Sequence, residues 1–214
     1  RASRATNPEL FRAAIGGHGA FGVIYSVTLR LARAGAAPQT PAMEASVLRL
    51  NACAAMLRAE HAEPAVSLEM LVSPGCAEEV LAEAAALLHA RGLALASVQV
   101  RSIAQDAETL LPWARSRCVS IEIGFVRTAT LSAGVRRAQA CRELIDLALA
   151  RGGRFRLGNA YASREQVEAG YPDFAAFLAE ARRSDPAERF TNAWLHHHRN
   201  LFRRVPCEVR WSCE

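Results

Sequence analysis

Three segments of the chain alternate apolar and polar side chains with a period of two residues. They read AVSLEMLV, LALASVQVR and CVSIEIGFV. Because successive side chains of a strand point to opposite faces, this alternation predicts strands with one buried and one polar face. Such strands are typical of antiparallel sheets, whereas buried parallel strands are apolar on both faces. The sequence therefore predicts an α+β fold in which helices cover one side of an antiparallel sheet.

The segments between the strands carry helix signals. CAEEVLAEAAALLHARG predicts a helix followed by Gly92 in the C′ position, and LSAGVRRAQACRELIDLALARGG predicts a long helix. SREQVEAGY begins with a Ser163 and Gln166 capping box, and PDFAAFLAEARRSDP predicts a further helix. Nearer the start, MEASVLRL predicts a strand and the following residues a helix capped by Asn51.

The stretch GGHGAFGVI has the spacing of the dinucleotide-binding fingerprint, with glycines at 17, 19 and 22. That mechanism needs a strand before the glycines and a helix after them, so that the pyrophosphate lies at the helix N-terminus. Here Asn7-Pro8 predicts the start of a short helix that stops at the glycines, and VIYSVTLRL predicts a strand after them. The order is reversed, which excludes the Rossmann interpretation. The glycines therefore predict either a tight helix-to-strand turn or a bare backbone that a cofactor approaches closely.

Composition narrows the class of protein. The 214 residues are 51% hydrophobic, enough for a proper core, but no apolar run reaches the roughly 18 residues of a membrane span. The net charge is +5, yet the arginines are scattered and form no basic stripe, so we expect no nucleic-acid partner. No signal peptide opens the chain, and six irregularly spaced cysteines predict free thiols in the cytoplasm. A Cys207–Cys213 disulfide is the alternative for two of them.

The run HHH, His196 to His198, raises the question of a metal site. Adjacent residues on a helix point about 100° apart, so three consecutive imidazoles do not converge on one ion. No histidine or carboxylate four residues away completes a pair with them. We therefore expect no metal.

Three stretches resemble one class of flavoproteins. NPELFRAAIGGHGAFGVIYSVTLRL resembles the closing segment of the FAD-binding domain in the vanillyl-alcohol-oxidase-type flavoproteins. VQVRSIAQDAETLLPW with CVSIEIGF, and RFRLGNAY with YPDFAAFLAEARRSDPAERFTNAWL, are similar to the substrate domain of the aldonolactone and alditol oxidases. The resemblance implies that residues 1–35 are the last helix, turn and strand of an FAD-binding domain. Residues 36–214 would form a substrate-binding cap domain whose sheet roofs the reactive ring of the flavin.

The resemblance also implies an activity. A chain of this kind would be the C-terminal part of an FAD-dependent oxidoreductase that oxidises an alcohol, polyol or sugar-lactone-like small molecule by hydride transfer to flavin. The FAD would lie along the glycine turn, in contact with Gly17, His18, Gly19, Gly22, Val23, Ile24 and the more distant Asn192. For Asn192, the alternative is a helix cap. For His18, it is a ring that points to solvent.

The family's pyrophosphate loop is not among these residues. We expect it in an N-terminal FAD-binding half, supplied by the same gene or by a partner chain. The alternative function is a non-catalytic interaction protein that retains the cap fold without a functional flavin site.

The substrate domain departs from the family pattern at several positions while Arg101 is retained. The family's Gly-Lys pair is Gly158-Asn159 in this chain, and its glutamate is Gln99. Its threonine is Gly124, and its histidine is Glu122. Asn159 and Tyr161 are the polar side chains that we expect to replace the missing lysine.

The candidate catalytic residues lie on neighbouring strands. Gln99 and Arg101 share one face of their strand, and Ser120 and Glu122 share one face of the next. We predict that Arg101 orients Glu122 and that this carboxylate serves as the base, with an ordinary cross-strand ion pair as the alternative. The catalytic assignment is thus Arg101, Glu122 and Asn159. The substrate-binding assignment is Gln99, Ser120 and Tyr161.

Overall fold

The computed structural model describes residues 1–29, 49–52, 54, 66–127, 130–158 and 161–203. Its four strands are antiparallel and stand in the order β2-β3-β1-β4. They are β1 Val66–Val72, β2 Leu95–Ile103, β3 Cys118–Phe125 and β4 Arg154–Phe155. The helices are α1 Pro8–Ala14, α2 Ala77–Ala90, α3 Leu131–Ala150, α4 Arg164–Gly170, α5 Phe174–Ser184 and α6 Ala193–Phe202. The prediction of an α+β fold with an antiparallel sheet packed against helices is confirmed.

Alternation along β1 and β3 divides the sheet into an apolar and a polar face. The register places Leu68 opposite Ile123 and Met70 opposite Ile121. These four side chains are fully buried in the main core, which also contains the inner faces of α2 and α3. Burying an apolar side chain of this size contributes about 1.5–3 kcal/mol, so this face accounts for much of the driving force of folding. The polar face carries the even-numbered residues of β3 and the odd-numbered residues of β1.

One end of the polar face is covered by the loop between β2 and β3. Leu71, Ala114 and Cys118 form a small second cluster there, with Trp113 packed against it. The candidate site lies next to this loop, where Glu69 and Ser120 are buried while Arg101 and Arg156 are exposed.

Most helix ends follow the predicted signals. Ser163 Oγ accepts a hydrogen bond from the N–H of Gln166, whose side chain accepts one from the N–H of Ser163, so the capping box is confirmed. Gly92 has a φ of +58°, as the C′ position requires. At α1, Pro8 opens the helix as predicted, but the side chain of Asn7 makes no cap.

The cap predicted at Asn51 is wrong. Residues 49–52 are already helical, so the helix begins before Asn51. Its side chain instead accepts from the N–H of Val100 and donates to the carbonyl of Val100, on β2. The strand predicted at 43–50 is wrong at residues 49 and 50, and residues 43–48 lie outside the described part of the chain.

The strand predicted at 23–31 is also wrong at residues 23–29, and residues 30 and 31 lie outside the described part of the chain. This segment pairs with no strand in the part of the chain that the structure describes. Its apolar side chains are exposed by 55–97%, namely those of Val23, Ile24, Tyr25, Val27 and Leu29. The predicted domain boundary at residue 35 lies outside the described residues. None of the described helices has the length and apolar character to cross a membrane.

Gly153 allows β4 to pack closely against β1. A Cβ at this position would lie 2.6 Å from the carbonyl oxygen of Leu71 and 2.8 Å from that of Ala148. We expect Gly153→Ala to lower the free energy of unfolding by about 1–3 kcal/mol, measured by urea denaturation. The matched control is Gly134→Ala in α3, where a Cβ meets nothing within 4 Å. The control should raise stability by about 0.5–1 kcal/mol, and equal midpoints for the two variants would contradict this packing.

Candidate functional site

A row of polar side chains crosses the open face of the sheet. From β2 to β4 it consists of Arg101, Ser120 with Glu122, Glu69 and Arg156, and we call these five residues the polar row. The register places Arg101 opposite Ser120 and Glu69 opposite Glu122. Arg156 directly follows β4, and its backbone N–H donates to the carbonyl of Glu69. The antiparallel sheet thus brings together residues from four separate segments of the chain.

Glu69 is the buried centre of the polar row, with only 4% of its surface exposed. Its Oε1 accepts from the hydroxyl of Ser120 and lies 3.5 Å from Arg101 Nη2. Its Oε2 accepts from Arg156 Nη1 at 3.3 Å. A buried carboxylate is costly unless it is both paired and hydrogen-bonded, and these three donors meet that requirement.

Arg101 links the two carboxylates of the polar row. Like charges directly opposite each other on neighbouring strands repel, and Glu69 faces Glu122 in this way. Arg101 Nη2 offsets the repulsion because it lies 2.5 Å from Glu122 Oε2 as well as near Glu69. The predicted Arg101–Glu122 contact is therefore confirmed. The orienting role of Arg101 and the action of Glu122 as base stay predictions.

A cavity of about 750 Å³ lies beside Glu69 and Arg156. Its opposite wall is formed by His18 of the glycine turn and by the start of α6, through Asn192 and Trp194. The cavity therefore brings the predicted cofactor turn and the polar row to one place, although the two are far apart in sequence.

The start of α6 fixes the position of the glycine turn. Asn192 Oδ1 accepts from the N–H of Leu195, which confirms the predicted helix cap, and its Nδ2 donates to the carbonyl of His18 at 2.6 Å. The ring of His18 stacks on Trp194, with 3.8 Å between centroids and 6° between planes. Burial lowers the pKa of His18, and the charge of Arg156 lowers it further, so this imidazole is neutral at pH 7. A cofactor contact of His18 or Asn192 stays a prediction.

The glycines at 17, 19 and 22 shape the turn but do not line the cavity. Gly19 has a φ of +75°, and a Cβ there would lie 3.2 Å from Asn192 Nδ2. Gly17 is buried, and a Cβ would collide with the carbonyl of Ala13. Gly22 has a φ of +139° and open space around it.

None of the described residues assigned to catalysis or substrate binding lines the cavity, namely Gln99, Arg101, Ser120, Glu122 and Tyr161. Gln99 is exposed on the polar face, opposite Glu122. The hydroxyl of Tyr161 accepts from Arg137 of α3, and Tyr161 does not line the cavity. Asn159 lies outside the described residues.

Glu69 and Arg156 were not among the residues singled out from the sequence. The signal for Glu69 is a glutamate at the middle of AVSLEMLV, where a charge implies a partner from elsewhere in the chain. The signal for Arg156 is RFR, which places two arginines on one face of a short strand.

The three consecutive histidines diverge, as their helical spacing predicts. His198 is 1% exposed, and its Nδ1–H donates to the carbonyl of Trp194. His196 is exposed and contacts Asn200 instead. Among the described residues, no three histidine, cysteine or acidic side chains are grouped to hold a metal ion.

The chain matches no model of a protein family, and no curated protein matches it. Its function is therefore inferred from the geometry of the cavity and from the three stretches that resemble flavoproteins.

Substitutions at the two carboxylates of the polar row should differ in their effect on stability. Glu69→Gln removes a buried charge that two arginines and a hydroxyl contact, and we expect a loss of about 1–3 kcal/mol. Glu122→Gln is the matched control, because its carboxylate is partly exposed and, among the described residues, its hydrogen-bond partner is Arg101. It should cost less than about 1 kcal/mol. Chemical denaturation measures both, and an equal loss would contradict the central place of Glu69.

His198 should make the stability of the fold depend on pH. Burial lowers its pKa from 6.5 to about 4, so it is neutral in the folded protein while the unfolded chain binds a proton below pH 6.5. Stability is therefore full above pH 6.5 and falls by about 2–3 kcal/mol as the pH drops towards 4. In thermal melts across this range, His198→Gln should flatten the decline. His196→Gln, on the exposed side of the same helix, should leave the decline unchanged, and an equal decline in both variants would contradict the assignment.

Proposed function

We propose that this chain is the substrate-side part of an FAD-dependent oxidoreductase that acts on a CH–OH group of a small molecule. The observation that carries the proposal is the shared cavity. Its lining includes His18 of the glycine turn, which the resemblance assigns to FAD, and Glu69 and Arg156 of the polar row. The other members of the row, Arg101, Ser120 and Glu122, are the residues assigned to the substrate, and they lie next to Glu69 on the sheet without lining the cavity. A flavin enzyme needs these two elements side by side, because the reacting carbon must approach the ring directly.

The glycine turn fits one wall of a flavin site. Its glycines at 16, 19 and 22 have positive φ values, so bare backbone lies where a flat ligand could approach closely. The backbone from residue 22 to residue 29 enters no ladder with the described strands, so these N–H and C=O groups are open to a cofactor or a neighbouring strand. Bound FAD supplies the acceptor for a hydride. Its pyrophosphate would be held by an N-terminal half, from the same gene or a partner chain.

The polar row would orient the substrate and remove its hydroxyl proton. Glu122 is the candidate base, because its carboxylate is accessible while that of Glu69 already accepts from three donors. Arg101 holds Glu122 in place, and Ser120 anchors Glu69. The substrate in this proposal is a small alcohol, with a polyol or sugar lactone as the form that the resemblance favours.

We also place the protein in a reducing compartment, such as the cytoplasm. Cys76, Cys118 and Cys141 are free thiols. Burial raises the pKa of Cys118 to about 11 and that of Cys141 to about 12, so both stay protonated and unreactive at neutral pH.

A non-catalytic interaction protein is the second candidate function. It is supported by the segment 22–29, whose apolar side chains are exposed and whose backbone is unpaired with any described strand. Such a segment is a template for pairing with another chain. Under the first proposal it would contact the FAD-binding half, so flavin content distinguishes the two functions.

The test is the flavin content of the intact protein that contains these residues, purified with any partner and reconstituted with FAD. We expect an absorbance band at about 450 nm that bleaches under anaerobic conditions when an alcohol substrate is added. Gly19→Ala should weaken FAD binding about tenfold, since a Cβ would crowd Asn192 at a positive φ.

The matched control is Gly75→Ala, between β1 and α2, where a Cβ meets nothing within 4 Å. It should bind FAD like the unaltered protein. A preparation that stays colourless after reconstitution would reject the oxidoreductase and favour the interaction protein.

A further inference from the structure

The hydrogen-bond acceptors around the cavity are largely engaged already. Both carboxylate oxygens of Glu69 accept bonds from the polar row. The carbonyl of Leu157 accepts from the indole N–H of Trp194, and the carbonyl of His18 accepts from Asn192. Each hydroxyl of a ligand needs an acceptor for its own proton, so this wall is less suited to a polyol with several hydroxyls than to a ligand with one hydroxyl and a carboxylate.

Arg156 lines the cavity and has several N–H donors that make no hydrogen bond to the described residues. It is 61% exposed, and its guanidinium makes one hydrogen bond to the described residues, from Nη1 to Glu69. That bond and the ring of Trp113, whose centroid lies 5.5 Å from the guanidinium carbon, both favour this orientation. A guanidinium has five N–H donors in a rigid fork, and the fork matches a carboxylate with two parallel hydrogen bonds.

The charges at the cavity favour an anion at this place. Glu69 is 4% exposed and its charge is shared between Arg101 and Arg156, whereas the charge of Arg156 faces open space. Glu122 is the other acidic residue of the polar row. It lies opposite Glu69, pairs with Arg101 and does not line the cavity. His18 is neutral. The exposed charge on the cavity wall is therefore positive.

The rest of the cavity wall includes apolar surface. Trp194, Leu157 and Val66 line it, so the part of a ligand beyond its charged group would contact carbon. A cavity of about 750 Å³ admits a small organic molecule rather than a polymer segment.

We infer that Arg156 binds the carboxylate of a small organic acid in this cavity. This inference deepens the proposed function and, for the reaction, depends on it: the substrate is then a 2-hydroxy acid rather than a neutral polyol. Its oxidation gives a 2-oxo acid. Bound FAD would accept the hydride from the carbon that bears the hydroxyl, and the carboxylate of Glu122 would take the hydroxyl proton.

The test is ligand binding to the full chain without flavin, using sodium lactate and its neutral isostere lactamide. Calorimetry gives the affinity, and the indole N–H resonance of Trp194 in NMR spectra reports whether the ligand enters the cavity. We expect lactate to bind at least about tenfold more tightly than lactamide or xylitol, and the preference to shrink as salt is raised.

Three variants separate the role of Arg156 from a structural one. Arg156→Gln should abolish the preference for lactate, and Arg156→Lys should keep part of it, because a lysine retains the charge but not the fork. Arg183→Gln is the matched control, since Arg183 is an exposed arginine on α5 that pairs with Glu180. It should bind lactate unchanged. Thermal melts establish that each variant is folded.

Equal affinity for lactate and lactamide, tighter binding of xylitol, or a lactate preference that survives Arg156→Gln would overturn the inference. Because the measurement needs no flavin, its outcome is separate from that of the flavin test. If the protein fails to bind FAD in the reconstitution test but still shows a lactate preference that depends on Arg156, the carboxylate site is supported and the oxidoreductase is rejected.

Discussion

The arrangement of the polar face depends on one buried carboxylate. Glu69 lies at the middle of β1, between two strands, and it is stable there only because donors reach it from both sides. Ser120 and Arg101 approach from the side of β3 and β2, while Arg156 approaches from the side of β4. The carboxylate therefore fixes the place of two guanidiniums on a rigid sheet. Charged groups anchored on a sheet in this way are better preorganised than groups on loops, because sheet hydrogen bonds limit their movement.

The second wall of the cavity is held by aromatic contacts instead. Trp194 stacks on His18 on one side and contacts the ring of His198 on the other, and Phe174 of α5 packs against both Trp194 and His198. The glycine turn is thus connected to the main core through α6. These contacts contain neutral imidazoles, so they weaken as the pH falls, whereas the ion pairs of the sheet face do not depend on histidine. The two walls of one cavity therefore respond differently to pH.

The parts of this structure that could be predicted from sequence are those whose cause is local. The strands follow from period-two alternation, and the Ser163–Gln166 capping box follows from residues three apart. The failures involve partners that are distant in sequence. Asn51 has the chemistry of a cap, but it binds Val100 instead. Residues 22–29 have the pattern of a strand, but a strand also needs a neighbour. Arg101 and Glu122 could be paired from their faces alone, whereas Glu69 with Arg156 could not, because their contact requires β4 to lie beside β1.

The exposed segment 22–29 directly follows the glycine turn, and His18 of that turn lines the cavity. A protein domain seated on this segment would cover apolar side chains and supply partners for an unpaired backbone. Because His18 of the same turn lines the cavity, that domain would also exclude water from the neighbourhood of Arg156. Charge interactions strengthen as water is excluded, so the attraction between Arg156 and an anion would rise on assembly. Under the proposed function, docking of the FAD-binding half on segment 22–29 would therefore have two consequences. It would cover the apolar side chains, and it would strengthen the binding of a substrate carboxylate by Arg156.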